Sequence, residues 1–160
     1  MKTTARRTLA LAAAALTALP AAWAADHPYD FIACLHSRRI ALEASADIQA
    51  FGIEAWGVVA SSTTKEWEGA STRCVGYLRM IGGKPVGKGV CKWVMASGDT
   101  GVGEFEYPPN GAPTWNWLTG TGRLKGIGGG GTFQQVIGGA PIDPGTGQSC
   151  RRDWGTYTLP

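Results

Sequence analysis

The sequence predicts an all-β domain that closes as an antiparallel barrel. Short runs rich in aromatic and β-branched residues recur along the chain, separated by turns that contain glycine or proline. A Gly-Gly pair lies between two such runs and brings two cysteines into register. The stretch GTGRLKGIGGGGTF at residues 120–133 suits a strand that curves sharply or lies close to a neighbour. Barrels bend their strands in this way at their corners.

The first 24 residues have the pattern of a secretory signal peptide. Basic residues within 2–7 precede an apolar run at 9–19, and Ala-Trp-Ala at 22–24 supplies the small-x-small pattern of a cleavage site. The apolar run is too short for a membrane anchor, and no later stretch approaches spanning length. The sequence therefore predicts export to the periplasm or beyond the cell, no membrane span after cleavage, and a single domain at 25–160.

The charge balance argues against a nucleic-acid partner. The chain has 15 Lys+Arg and 12 Asp+Glu, and the predicted signal peptide holds three of the bases and none of the acids. The remaining domain therefore has no net charge when its histidines are neutral. Binding to nucleic acid requires a basic face, and this composition predicts none.

Strand candidates follow one another along the domain. Residues 31–46 are ambiguous, because the helix formers at 39–46 leave a short N-terminal helix open. The other candidates have β-type composition or alternation: 48–60, 73–80, 86–95, 101–107, 114–118, 131–137 and 154–159. Turn signals separate them, and residues 138–147 read as a loop with two prolines.

Four cysteines predict two disulfides, because an even count in an exported chain favours a disulfide framework. Gly82-Gly83 is a two-residue hairpin signal, and a turn centred there places Cys74 directly opposite Cys91. That register makes the cysteines a non-hydrogen-bonded pair, whose Cα separation of roughly 4.5 Å suits a disulfide. Cys34 and Cys150 are left to pair, tying the start of the domain to its end. The alternative, a zinc site, lacks any C-x-x-C spacing, so no metal is predicted.

The glycine-rich stretch lacks the spacing of a nucleotide-binding loop. Gly120-x-Gly122 is followed by its next glycine at 126, one residue too late for the dinucleotide fingerprint, and Gly-Lys-Ser/Thr is absent. The segment GIGGGGTF is also a very poor helix. The remaining interpretation is a tight turn at 119–122 followed by a glycine-containing strand, with no cofactor.

GTGRLKGIGG at residues 120–129 resembles the signature G-T-G-x-F-R-x-A-x-G of plant dirigent proteins and their relatives, the allene oxide cyclases. Four of its positions match, and Leu124, Lys125 and Ile127 replace the remaining three. The chain is also similar to small exported bacterial proteins grouped with this superfamily. The resemblance implies an eight-stranded antiparallel barrel with an apolar cavity, which acts by confining a substrate without cofactor or metal. Lipocalin-like and avidin-like barrels stay open as alternatives.

Candidate site residues are few. Glu54 would be a desolvated acid with a raised pKa if it points into an apolar barrel, and a glutamate on the exterior is the alternative. Trp56, Trp115 and Trp117 are candidates for ligand contact. Trp115 and Trp117 share one face of a strand and suit a packed core as well. The resemblance transfers no catalytic residue, because the family's pocket residues lie outside the matched motif.

Three functions stay open. The preferred one is binding of a small apolar or aromatic ligand inside the barrel without catalysis, which requires a cavity above about 300 Å³. The second is a structural or interaction protein of the cell envelope with a filled barrel. The third is a cofactor-free cyclase or isomerase that confines a reactive substrate and uses a buried acid. The oligomeric state is not predicted.

Overall fold

A computed structural model describes residues 25–44 and 49–160, so the predicted signal peptide lies outside the described residues. The described chain contains eight strands: β1 Ala25–Ala44, β2 Gln49–Ser62, β3 Ser71–Ile81, β4 Lys84–Val94, β5 Thr100–Tyr107, β6 Thr114–Gly120, β7 Gly128–Gly139 and β8 Thr146–Leu159. Two short 3₁₀ turns, Lys65–Trp67 and Gly122–Leu124, precede β3 and β7. In these ranges no helix is long and apolar enough to cross a membrane.

The eight strands form one closed barrel. Each strand pairs antiparallel with the next, and β8 returns to pair with β1. The predicted eight-stranded antiparallel barrel is confirmed. Side chains along each strand of a barrel alternate between its interior and its exterior. The parity of a residue in its strand therefore decides whether it can reach a site inside.

Strand β1 occupies the segment for which the sequence left a short helix open. It runs to Ala44 and pairs with β2 on one side and β8 on the other. Tyr29, Phe31 and Ala33 alternate along it as buried residues. Residues 39–44 pair with β2 alone, as the continuation of a strand whose earlier part pairs on both sides, and this pairing outweighs their helix propensity.

The β3–β4 hairpin has the register that the sequence predicts. Cys74 lies opposite Cys91 and Ile81 lies opposite Lys84, so the turn is centred on Gly82-Gly83. Both turn glycines have positive φ, 56° and 76°, a region that side chains disfavour. The Cys74–Cys91 disulfide is present, with its Cα atoms 4.0 Å apart, and both cysteines are buried in the interior.

The second disulfide joins the first and last strands. Cys34 and Cys150 are direct partners in the β1–β8 ladder and are bonded to each other, as predicted. Their neighbours Ala33 and Arg151 are buried interior residues, so the cysteines themselves lie on the outer face by alternation. The Cys74–Cys91 disulfide therefore lies in the interior wall, and the Cys34–Cys150 disulfide joins β1 to β8 on the outer face. We call the pairing of β1 with β8 the seam.

The glycine-rich stretch forms a turn and then the start of β7. The turn lies slightly later than residues 119–122, because β6 continues to Gly120 and a 3₁₀ turn follows. A Cβ atom built on Gly130 would lie 2.1 Å from the carbonyl oxygen of Trp115, and one on Gly131 would lie 2.1 Å from that of Trp154. Only glycine permits these close approaches of neighbouring strands, so the interpretation as a close-packed strand is correct.

One half of the interior is filled with aromatic rings. Trp67, carried by the 3₁₀ turn between β2 and β3, is fully buried and stacks on Trp117 with ring centroids 5.0 Å apart. Five further buried rings pack in this cluster: Tyr29, Phe31, Trp93, Trp115 and Tyr157. Leu124 and Ile127, from the turn before β7, join the same core. We call this half the plugged half.

Candidate functional site

The other half of the barrel contains a cavity of about 390 Å³. It lies at the end that carries the β3–β4 hairpin and the β7–β8 connection, opposite the Trp67 plug. A second cavity of about 170 Å³ lies at the plugged end and borders Trp67 and Tyr157. The larger cavity has a size in the range of small-molecule sites, and the smaller does not.

The wall of the cavity is apolar on one side and polar on the other. Strands β2 to β5 contribute an apolar wall that includes Phe51, Ile53, Leu78, Met80 and Phe105. The strands on either side of the disulfide-bonded seam, together with β7, contribute a polar wall that includes Ser37, Arg39, Gln135, Ser149 and Arg151. This segregation follows from the sequence, because the inward positions of β1 and β8 near this end are mostly polar.

Phe105 helps to close the cavity toward the plugged half. It lies beside two glycines in adjacent strands, Gly76 and Gly89, which form one row across the sheet with it. A Cβ atom on Gly89 would lie 2.6 Å from the Phe105 ring, and one on Gly76 would lie 2.9 Å from it. The two glycines thus make room for one aromatic ring, which covers backbone that would otherwise face the interior.

A buried ion pair lies beside the cavity, with one of its members, Arg151, in the wall. Arg151 and Asp153 both point inward from β8, and Arg151 Nε donates a hydrogen bond of 3.0 Å to Asp153 Oδ2. Their side chains are 9% and 4% exposed. The guanidinium lies over the Phe133 ring, 4.7 Å from its centroid. Arg151 Nη2 is buried and has no hydrogen-bond partner among the described residues.

Burial dominates the electrostatics of this pair. Removal of Asp153 from water raises its pKa to about 6, although the Arg151 charge and hydrogen bond act in the opposite direction. Burial also raises the pKa values of Tyr29 and Tyr107, which sense the charges of both members of the pair. The tyrosines are therefore neutral at ordinary pH, and Asp153 is the group that titrates.

The sequence did not predict the ion pair of Arg151 and Asp153. The last strand was expected only at residues 154–159, whereas β8 begins at Thr146. Arg151-Arg152-Asp153 has the composition of a solvated segment. A signal was nevertheless present, because Arg151 and Asp153 share strand parity with the aromatic Tyr157.

Glu54 is not the buried acid considered for a cyclase. Its neighbours in β2, Ile53 and Ala55, line the cavity, so Glu54 points to the outer face. There it accepts hydrogen bonds from Arg73 and Arg38. The hydrogen bond from Arg73 is the main cause that lowers the pKa of Glu54 below its usual value. The direction is opposite to the one a desolvated acid requires.

The three candidate tryptophans do not line the larger cavity. Trp56 lies on the outer face, 41% exposed, with its ring centroid 4.9 Å from that of His36. Trp115 and Trp117 point inward but are buried in the plugged half. They have the core role that the sequence left open. The aromatic residues that border the cavity are instead Phe51, Phe105, Tyr107 and Phe133.

The described part of the chain contains no cluster of side chains that could bind a metal ion. No group of three or more His, Cys, Asp or Glu residues is placed to hold an ion there. All four cysteines are in disulfides.

The fold and the site together define a small disulfide-bonded β-barrel with one plugged half and one half that contains a cavity. No protein-family model matches the chain, and no curated protein or solved structure matches it significantly. The cavity is the feature of this structure that bears on function.

Proposed function

We propose that this protein binds a small apolar or aromatic ligand in the cavity of its barrel, without catalysing a reaction. The observation that carries the proposal is the cavity of about 390 Å³ with its wall of aliphatic and aromatic side chains. Ligand pockets begin at about 300 Å³ and are mostly apolar with a few placed polar groups. A preformed barrel wall favours binding, because little side-chain freedom is lost when the ligand enters.

The same proposal includes export to the periplasm or the extracellular space. Two disulfides accord with an oxidising compartment, and the sequence of residues 1–24 has the features of a signal peptide. Membership of the allene oxide cyclase and dirigent superfamily is part of this proposal too. It is supported by the glycine-rich motif and by the eight-stranded barrel.

The two alternatives have weaker support. A structural protein with a filled barrel does not account for the cavity. A cyclase requires an acid that reaches the substrate, and Glu54 lies outside the barrel. Asp153 is a buried acid, but it does not line the cavity, whereas its partner Arg151 does.

Filling the cavity tests the binding function. Ile53→Trp places a large ring in the cavity from β2, whereas Val75→Trp places the same ring on the outer face of β3. With N-phenyl-1-naphthylamine as a neutral apolar probe, we expect saturable binding to the wild type. Ile53→Trp should weaken it by about tenfold or more, because the ring overlaps the ligand. Val75→Trp should leave it unchanged.

Fluorescence titration measures these affinities. Equal affinities for the wild type and Ile53→Trp would place the probe elsewhere and contradict the proposal. Native mass spectrometry of protein purified from its own host, before and after organic extraction, provides a second test. A small mass that is lost on extraction supports a carrier, and its absence in every preparation favours a filled or structural barrel.

A further inference from the structure

The charged side chains that line the cavity are both arginines, and the carboxylate paired with one of them, Asp153, lies behind the wall. Arg39 and Arg151 both contribute to it, and no aspartate or glutamate does so among the described residues. Arg39 lies near the mouth, over the Phe51 ring at 5.0 Å. Arg151 lies deeper, over the Phe133 ring. Two cationic groups at different depths favour an anion over a neutral or cationic ligand.

Arg151 is held in place before any ligand arrives. Its guanidinium is fixed by the hydrogen bond to Asp153 and by contact with Phe133. Only Nε bonds to Asp153, while Nη2 is buried without a partner in the described part of the chain. A guanidinium has five N–H donors, and a buried donor without a partner destabilises the structure. With Nε bonded to Asp153 and Nη2 enclosed, a ligand in the cavity can reach only the part of Arg151 that forms the wall.

The apolar wall, opposite Arg151, favours a ligand whose uncharged part is apolar. The apolar surface of β2 to β5 faces the polar wall that carries Arg151 across the cavity. A ligand with one anionic end and a compact apolar body can contact both walls at once. A carboxylate suits the guanidinium, because a hydrogen bond between two charged groups is stronger than one between neutral groups.

We infer that the cavity takes a small apolar carboxylate, with its anionic end held by Arg151 and its body against the wall of β2 to β5. This inference rests on the binding function proposed above and names the chemical class of its ligand. Arg151 acts as the anion-binding residue, and Arg39 attracts the ligand at the mouth.

Asp153 makes this binding depend on pH. Its carboxylate already occupies one donor of Arg151 and offsets the guanidinium charge. The other titratable groups that face the pair are Tyr29 on β1 and Tyr107 on β5, and both stay neutral. When Asp153 takes up a proton near pH 6, the charge of Arg151 is no longer offset. The affinity for a carboxylate should therefore rise as the pH falls.

A pair of isosteric probes tests the inference. Naphthalene-2-carboxylate and naphthalene-2-carboxamide share one ring system and differ in charge. We expect the wild type to bind the carboxylate more tightly. Arg151→Met should weaken carboxylate binding by about 10- to 100-fold, the range for a hydrogen bond to a charged group. The loss for the carboxamide should be much smaller, because that probe carries no charge. Arg152→Met is the matched control, because Arg152 points outward and pairs with Asp30.

Asp153→Asn provides a test that does not remove the arginine. We expect it to tighten carboxylate binding at pH 7.5 and to abolish the difference between pH 5.5 and pH 7.5. In the wild type that difference should be several-fold. The probe remains ionised at both pH values, because a carboxyl group has a pKa near 4. Carboxamide binding should not change with pH in either protein.

The outcomes separate the two proposals. Binding of both probes with equal affinity, at both pH values, would overturn the inference about charge and leave the binding function standing. Failure of the carboxamide, the carboxylate and the neutral dye to bind would overturn the binding function itself. If Arg151→Met does not fold, the pH dependence and its loss in Asp153→Asn decide the question alone.

Discussion

Asp153 lies in the middle of β8 with a single counter-charge beside it. Its ladder partners on the two sides are Phe31 and Phe133, which offer no polar group. Arg151 compensates only part of the cost of burial, so the pKa of Asp153 stays near 6. A raised pKa in the folded state means that the ionised carboxylate destabilises the fold relative to the protonated one.

Replacement of Asp153 with asparagine should expose this effect as a pH dependence of stability. The folded state holds the Asp153 proton up to about pH 6, and the unfolded chain releases it near pH 4. The wild type should therefore lose stability relative to Asp153→Asn between pH 4 and pH 7, on the order of 2 kcal/mol. Urea unfolding of both proteins across this range measures the difference.

Asp30 provides a control, because its pKa is shifted in the opposite direction from that of Asp153. Its hydrogen bond with Arg152 lowers its pKa, so its contribution is lost only as the pH falls below about 4. The difference between the wild type and Asp30→Asn should be constant from pH 4 to pH 7. A constant difference for Asp153→Asn over the same range would contradict the role assigned to Asp153.

At the scale of the element, β7 shows how glycine sets the distance between strands. Its first residues lie between β6 and β8, and the backbone of both neighbours comes close to them. At Gly131 an added methyl group would also lie 2.6 Å from the Tyr29 hydroxyl oxygen. Gly128 differs, because the nearest atom to an added methyl group is the Thr158 side-chain oxygen at 3.2 Å.

Two alanine substitutions in β7 should therefore have different costs. Gly131→Ala should destabilise the barrel by about 2–3 kcal/mol, since fixed backbone must move to admit the methyl group. Gly128→Ala should change the free energy of unfolding by less than about 1 kcal/mol. Both remove the same backbone freedom from the unfolded chain, so the difference isolates the close approach. Similar costs in urea unfolding would show that strand spacing does not depend on Gly131.

Local patterns predicted some elements better than others. The β3–β4 register followed from turn chemistry and the pairing of Cys74 with Cys91, which constrain each other. Strand β2 was recognised, but its inner face was not, because apolar residues lie on both faces: Ile53 inside and Trp56 outside. Alternation of polarity cannot assign such a strand, and the roles considered for Glu54 and Trp56 depended on that assignment.

The candidate site was harder to predict than the fold. The sequence led to the expectation of an interior cavity, but not to Arg151 and Asp153 as its charged neighbours. Charged residues are rarely buried unless they are paired, and this pair belongs to the part of β8 that precedes the predicted strand at 154–159. The separation into two halves depends on Trp67, which comes from a connection and not from a strand.

At the scale of the whole molecule, the seam between β1 and β8 carries the longer-range disulfide. Cys34 and Cys150 are 116 residues apart, whereas Cys74 and Cys91 are 17 apart. In the chain-entropy account, a cross-link that closes a long loop restricts the unfolded chain more than one that closes a short loop. The outer disulfide should therefore contribute more to stability than its position on the surface indicates.

Removal of this cross-link should lower the free energy of unfolding without changing the folded barrel. We expect Cys34→Ala/Cys150→Ala to lose about 4–5 kcal/mol, measured by urea unfolding without reductant. The near-UV circular dichroism and the affinity for the neutral dye should match those of the wild type, because the ladder around residue 34 needs only backbone bonds. A loss below about 1 kcal/mol would mean that the unfolded chain is already restricted at this seam.

The buried tryptophans all lie in the plugged half of the barrel, which has a consequence for its spectra. Trp67, Trp93, Trp115 and Trp117 are packed ring against ring in the plugged half, and none of them borders the larger cavity. These packed rings should therefore dominate the near-ultraviolet ellipticity and report the melting of the plug, while occupancy of the cavity leaves this signal largely unaltered. A colourless ligand could saturate this protein without a change in its tryptophan spectrum.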